Sequence, residues 1–270
     1  MPHRRWMLAG LALLLPIAAR AEPTEAPGSG LTELSIWQGI NGLSLGIEAA
    51  QRQQLSFPVG MAVSVLGLSG GLVLPTLVSP HITTGQAMAI DLGGQLGAFN
   101  GAAWALQPQG SARDVAVGQL VGTLAGAALA HGRPPEAGRM AMAQSVALWA
   151  SVTTALVQGV REDKPLVASI MAADAGAALG YCLWPSMPLS RGTLRTFDWV
   201  AGGGLVVGVL ASGAANKQVA PAALIGLGAG AAIGAAIVAG LQLSDDDAPP
   251  VDLHVLPQPG GALLSVGARL

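Results

Sequence analysis

Residues 83–106 read TTGQAMAIDLGGQLGAFNGAAWAL: a polar start, one acidic residue inside an apolar run, and glycines at short intervals. From Gly85 the chain reaches Asp91 six residues on and then Gly94, Gly97 and Gly101, a spacing of three and then four. The pattern returns from Gly138, where Gln144 takes the Asp place and Ala147, Ala150 and Thr154 the small ones. It returns again from Gly192, with Asp198 followed by Ala201, Gly204 and Gly208. Upstream, Gly39, Gly42 and Gly46 keep the spacing and Ile36 replaces the Asp. Copies separated by 138 − 85 = 53 and 192 − 138 = 54 residues mark a degenerate repeat.

A second set of ladders lies between these stretches, with Gly118, Gly122 and Gly126 matching Ala172, Gly176 and Gly180, then Gly226, Gly230 and Gly234. Spacing of four keeps small residues on one helical face, where missing side chains let two backbones approach as in GxxxG contacts. In water each such glycine costs a helix about 1 kcal/mol relative to alanine, so their density favours tight helix packing in a membrane. Eight apolar segments follow, at about 32–51, 55–78, 83–106, 111–131, 136–159, 165–184, 190–212 and 217–240. As helices they span about 30 to 36 Å, close to the hydrocarbon thickness of a bilayer. Short breakers such as Gln107-Pro108-Gln109-Gly110, Gly132-Arg133-Pro134-Pro135 and Arg161-Glu162-Asp163-Lys164-Pro165 join them. The expected fold is all-α, four helical hairpins built from eight Gly/Ala-rich, membrane-length helices. A small C-terminal β-hairpin follows, from the alternation of Val251 to Val255 and Ala262 to Leu270 around Pro257-Gln258-Pro259-Gly260-Gly261.

The ends differ in kind from the middle. Arg4 and Arg5, an apolar run from Met7 to Ala18, and Ala19-Arg20-Ala21 have the form of a cleaved signal peptide over 1–21. Residues 22–30 read as a mobile Pro/Gly linker, 31–243 as the helical-hairpin membrane domain, and 244–270 as the tail. Without the leader the chain keeps 13 − 3 = 10 basic against 15 acidic residues, which gives no electrostatic support for a nucleic-acid partner. Charged residues make up 10% of the whole, and aromatic residues, at 4%, are too few for the girdles of a large membrane barrel. The second segments of the hairpins are nearly free of charge, while the first ones carry Asp91 or Arg195 with Asp198, which disfavours their release into the inner membrane. Loop charges show no positive-inside bias. Export and an outer-membrane destination are therefore expected.

On Gly85, Asp91, Gly93 and Gly94, on Ser190-Arg191-Gly192 with Asp198, and on Pro257 to Gly261, the chain resembles uncharacterised exported proteins of Gram-negative bacteria. These are Gly-rich helical-repeat envelope proteins, and the resemblance implies an envelope location and lends no activity.

Asp91, Gln144 and Asp198 share one repeat position, and Asp174 lies in the sixth segment. Ionisable groups at membrane depth need a partner, water or a proton, so with Arg195 they form a candidate polar belt. The belt reads either as a set of contacts between helices, Arg195 reaching Asp198 at i, i+3, or as the path of a channel or transporter. His81, His131 and His254 lack metal-ligand spacing, and Cys182, in an apolar segment, reads as a buried structural thiol. No GxSxG elbow or Walker lysine occurs, so neither an enzyme, a metal nor a cofactor is expected. The expected function is a non-enzymatic, Gly-zipped homo-oligomer that shapes or encloses membrane lipid. A soluble periplasmic bundle is the remaining alternative.

Overall fold

The computed structural model describes residues 25–107, 110–132, 134–160, 166–214, 218–241, 251–258 and 261–268. The expected signal peptide and its cleavage site lie outside them, as do the turn at residues 161–165 and the break at 244–250. Among the described residues there are eight α-helices: α1 Leu31–Arg52, α2 Phe57–Val78, α3 Thr84–Ala105, α4 Ala112–Gly132, α5 Ala137–Val160, α6 Leu166–Leu183, α7 Arg191–Ala214 and α8 Val219–Leu241. Their ends fall within two residues of the expected segments. In the tail, the backbone of Val251–Gln258 (β1) pairs antiparallel with Gly261–Ala268 (β2), Val251 opposite Ala268.

Each odd helix packs most closely on the even helix that follows it. Glycine makes those seams possible. A Cβ on Gly97 would overlap the carbonyl of Gly118 and sit 2.9 Å from Cα of Gly122, and a Cβ on Gly118 would sit 2.9 Å from Cα of Gly101. The α7–α8 seam repeats the arrangement, Gly204 lying 2.7 Å from Cα of Gly230 by the same measure and Gly226 lying 2.9 Å from Cα of Gly208. In α1–α2 the crossing is Gly42 on Gly67. In α5–α6, Gly176 and Gly180 rest on Ala147 and Ala143. The small-residue ladders are thus spent inside hairpins, joining helices of one chain.

The odd helices pack on one another in the order α1, α3, α5, α7, and the even helices lie outside them. A core of Met88, Leu92, Met140, Met142 and Leu194 with surrounding alanines fills the space between α3, α5 and α7. Outward faces of the even helices are apolar and open: Leu66 and Leu77 on α2, Leu120 and Leu124 on α4, Met171 and Leu179 on α6, Ile225 and Ile233 on α8. A water-soluble bundle presents the reverse arrangement, charge outside and apolar side chains within.

Among the described residues six helices are long and apolar enough to cross a membrane: α2 and α4 to α8. All eight expected helices are present, and α1 and α3, at 22 residues each, fall outside this set for want of apolar character. Glu33, Gln38, Asn41 and Glu48 in the one, and Gln86, Asp91, Gln95 and Asn100 in the other, dilute their apolar character. Both are inner helices, where polar side chains meet other helices rather than lipid.

Candidate functional site: the polar interior

The N-termini of the odd helices gather at one end of the bundle. Aligned peptide dipoles make such an end positive, with amide hydrogens that lack a helical acceptor. Glu25 answers both needs: one carboxylate oxygen accepts from the amide of Gly85 in α3 at 2.8 Å, the other from that of Ala137 in α5 at 2.7 Å. Ser29 Oγ accepts from the amide of Thr84 at 3.1 Å. The expected loose linker is therefore docked over its described part. Thr83 and Gln86 add a reciprocal capping box to α3, and Gln86 Nε2 donates onward to the carbonyl of Ala130 at the end of α4.

At the same end Glu33, in the first turn of α1, receives the Arg191 guanidinium, with Arg195 3.5 Å away. Both arginines belong to α7 and are buried. This cluster joins the first hairpin to the last at that end of the bundle. Arg195 thus reaches across to α1.

Deeper in, Asp198 Oδ1 accepts from Ser145 Oγ at 2.6 Å and from Trp149 Nε1 at 2.7 Å, tying α7 to α5. Asp174 on α6 receives the Asn100 amide of α3 at 3.0 and 3.1 Å. Asn41 of α1 accepts from Gln119 of α4. Arg139 of α5 donates to the carbonyl of Tyr181 at 3.1 Å and stacks 3.8 Å over its ring. Gln144 is half-buried on α5, and Asp91 is 2% exposed on α3. The candidate belt is thereby distributed among separate seams.

Gly94 stands apart from its ladder: a Cβ there would meet Thr123 Oγ1 at 2.9 Å, Trp37 Nε1 at 3.5 Å and Asn41 Nδ2 at 3.9 Å. It faces α1 and α4 rather than α4 alone. Gln38 Nε2, Asn41 Nδ2 and Gln95 Nε2 are buried amide donors without a hydrogen-bond partner among the described residues. Each such group costs roughly 1 to 3 kcal/mol, so α1 and α3 carry a polar cost that the packing of the bundle offsets.

Sequence reasoning found the acceptors and missed the donors. In the repeat register, Ser145 and Trp149 stand where α1 has Trp37 and Asn41 and where α3 has Leu92 and Leu96. Donors therefore precede Asp91 and Asp198, while two leucines precede the copy in which Gln144 replaces Asp. A carboxylate recurs only where the previous odd helix offers polar hydrogens, because an ion buried without them is costly. That correlation was readable from the repeat. Glu25 and Glu33 carried no comparable local signal.

Removing donors to Asp198 tests this assignment. Hydrogen bonds to charged groups contribute about 1.5 to 3 kcal/mol, so Trp149→Phe and Ser145→Ala should each lower the unfolding midpoint in detergent. Combining both with Asp198→Asn should cost less than the sum, because the shared acceptor is then less demanding. Full additivity would detach the three residues from one another.

Of the remaining expectations, Cys182 is exposed on α6, not buried. Trp104 is exposed at the end of α3, as an interfacial residue would be, and Trp184 Nε1 donates to the carbonyl of Leu189 at 3.2 Å. A half-open groove of about 970 Å³ runs along the α3–α4 seam, floored by glycines and walled by Leu96, Val117 and Val121, with Asn100, Trp104 and Asp114 also along it. No family model matches the chain, and neither does a curated protein or a solved structure.

Proposed function

We propose that this chain is a non-enzymatic scaffold of the cell envelope, exported, seated in the outer membrane, and assembled with copies of itself to shape or enclose lipid. The observation that carries the reading is the inverted distribution of side chains: polar and charged groups bonded between helices inside, large apolar ones open on every even helix. In water that surface would drive aggregation; in a bilayer it needs no further partner. The groove over the α3–α4 seam has the apolar character of an acyl-chain contact. Engagement of Asp198 by Ser145 and Trp149, and of Asp174 by Asn100, supports a packing role for these carboxylates over a conducting one.

Expression of the full chain in a Gram-negative host, with separation of the two membranes and a carbonate wash, tests the proposal. The expected result is wash-resistant protein in the outer-membrane fraction. Resistant protein confined to the inner membrane would overturn the destination, and release into the periplasm would overturn the membrane reading itself.

A further inference from the structure

Three of the four odd helices meet the even helix of the next hairpin: α1 meets α4 through Asn41 and Gln119, α3 meets α6 through Asn100 and Asp174, and α5 packs on α8. Continuing the series, α7 should meet α2. Among the described residues the two have no such packing, although the Glu33 cluster brings α1 to α7 at one end.

Both edges left over by this break are open, although Leu68 and Leu72 of α2 also lie partly over Gly39 of α1. The glycine seams fix the register, since Gly67, Gly118 and Gly226 lie against the backbone of Gly42, Gly97 and Gly204. The next residue in each even helix is then Leu68, Gln119 and Leu227, with Ala173 in α6. Gln119, Ala173 and Leu227 are buried, whereas Leu68 is only half-buried. Neighbours on the stripe behave alike. Val65 and Leu72 are 51% and 38% exposed, against 2% and 7% for Ile170 and Ala177 at the same places in α6.

On α7 the residue equivalent to Asn41 is Gly203. It is exposed, and a Cβ there would meet nothing within 4 Å, so no contact inside the chain accounts for a glycine. Glycine in mid-helix costs about 1 kcal/mol relative to alanine, a cost its neighbour Gly204 offsets through the α8 seam and Gly203 does not. Leu68 is the residue that the repeat sets opposite it. A large knob and a bare hole thus stand on two faces that the chain's own pattern would bring together.

We propose that a second copy of this chain supplies the missing helix: α2 of one protomer packs on α7 of its partner, and reciprocally, with Leu68 seated over Gly203. The pairing rests on the self-assembling scaffold reading and names the faces that reading needs. Two-fold exchange uses the same patch on both protomers and closes without leaving free edges. Within one chain, α2 is locked to α1 by the Gly42–Gly67 crossing, and α1 to α4 by Asn41 and Gln119, so swinging α2 onto α7 would break contacts that already exist. A second copy breaks none.

The test uses the full chain in carbonate-washed membranes, with Cys182→Ser as background. Leu68→Cys with Gly203→Cys, treated with a short bifunctional thiol reagent, should give a dimer-sized product. Asn41→Cys with Gln119→Cys should crosslink within one chain and mark monomer mobility. A monomer-sized crosslink between positions 68 and 203 would overturn the proposal in favour of closure within the chain. No crosslink, with both thiols labelled by a membrane-permeant maleimide, would overturn it in favour of lipid covering both edges. As a second variant, Gly203→Leu fills the hole from a Cβ that meets nothing within 4 Å, and should weaken dimerisation in detergent at least tenfold while leaving the unfolding midpoint of the monomer unchanged or higher; an unaltered dimer would count against the seat. Protein lost to the carbonate wash would sink the membrane reading, and the same crosslink on the released protein would still decide the pairing.

Discussion

Gly97→Leu should abolish the folded hairpin of α3 and α4. A side chain at position 97 overlaps the Gly118 carbonyl and lies 2.9 Å from Cα of Gly122, and both obstacles are backbone, which cannot rotate aside as a side chain can. Over-packing costs about 1 to 3 kcal/mol even where neighbours yield. Here the two helices must separate, forfeiting the seam along Gly93, Gly97 and Gly101, so the loss should exceed that range and approach the whole stability of a typical domain, about 5 to 15 kcal/mol. The measurement is resistance to protease in detergent, wild type against variant, with Gly228→Ala as control. A Cβ on Gly228 meets nothing within 4 Å, and that substitution should leave resistance unchanged or raise it. Survival of Gly97→Leu with normal resistance would show that α3 and α4 do not meet on their glycines.

Glu33→Ala should produce the second largest loss. Arg191 and Arg195 are 5% and 8% exposed, and Glu33 is the acid shared between them. Removing one partner of a buried ion pair costs about 3 to 5 kcal/mol, because the remaining charge stays out of water. Two guanidiniums share the loss here, and their place near the N-terminus of α7 adds the unfavourable end of its dipole. Glu33→Gln should recover part of the stability, since an amide oxygen still accepts a hydrogen bond. Unfolding followed by tryptophan fluorescence would rank wild type, Gln and Ala in that order. Equal stability of Gln and Ala would mean that charge neutralisation, and not hydrogen bonding, holds the cluster.

Much of the architecture was legible because its causes are local. Breakers such as Gly132 with Pro134 and Pro135 divide the chain into helices, and ladders such as Gly118, Gly122 and Gly126 mark a close face whatever that face touches. The ladders could not say that their partner is the adjacent helix in the same chain, and Gly94 shows the limit: one residue from Gly93, it meets α1 as well as α4. Nor could apolar character separate inner from outer helices, since α5 and α7 are apolar enough to span a membrane and still lie inside. Cys182 was misjudged for the same reason: an apolar helix in lipid has no hydrophilic face to reveal which side is covered. Glu33 is invisible to any window of sequence, because its partner Arg191 stands 158 residues downstream.

That distance bears on the order of manufacture. Glu25 meets Ala137 across 112 residues and Glu33 meets Arg191 across 158, so the head of the chain is joined to parts that do not exist when it is made. At about 5 to 20 residues per second, Glu33 waits on the order of 8 to 32 s for its arginine. Each hairpin, by contrast, can zip as soon as its second helix is complete. Biogenesis therefore separates into early local zipping of hairpins and one late joining of first hairpin to last, and a chain halted before α7 would hold three hairpins already tied to one another through Glu25, Asn41 and Asn100, with Glu33 still lacking its arginines.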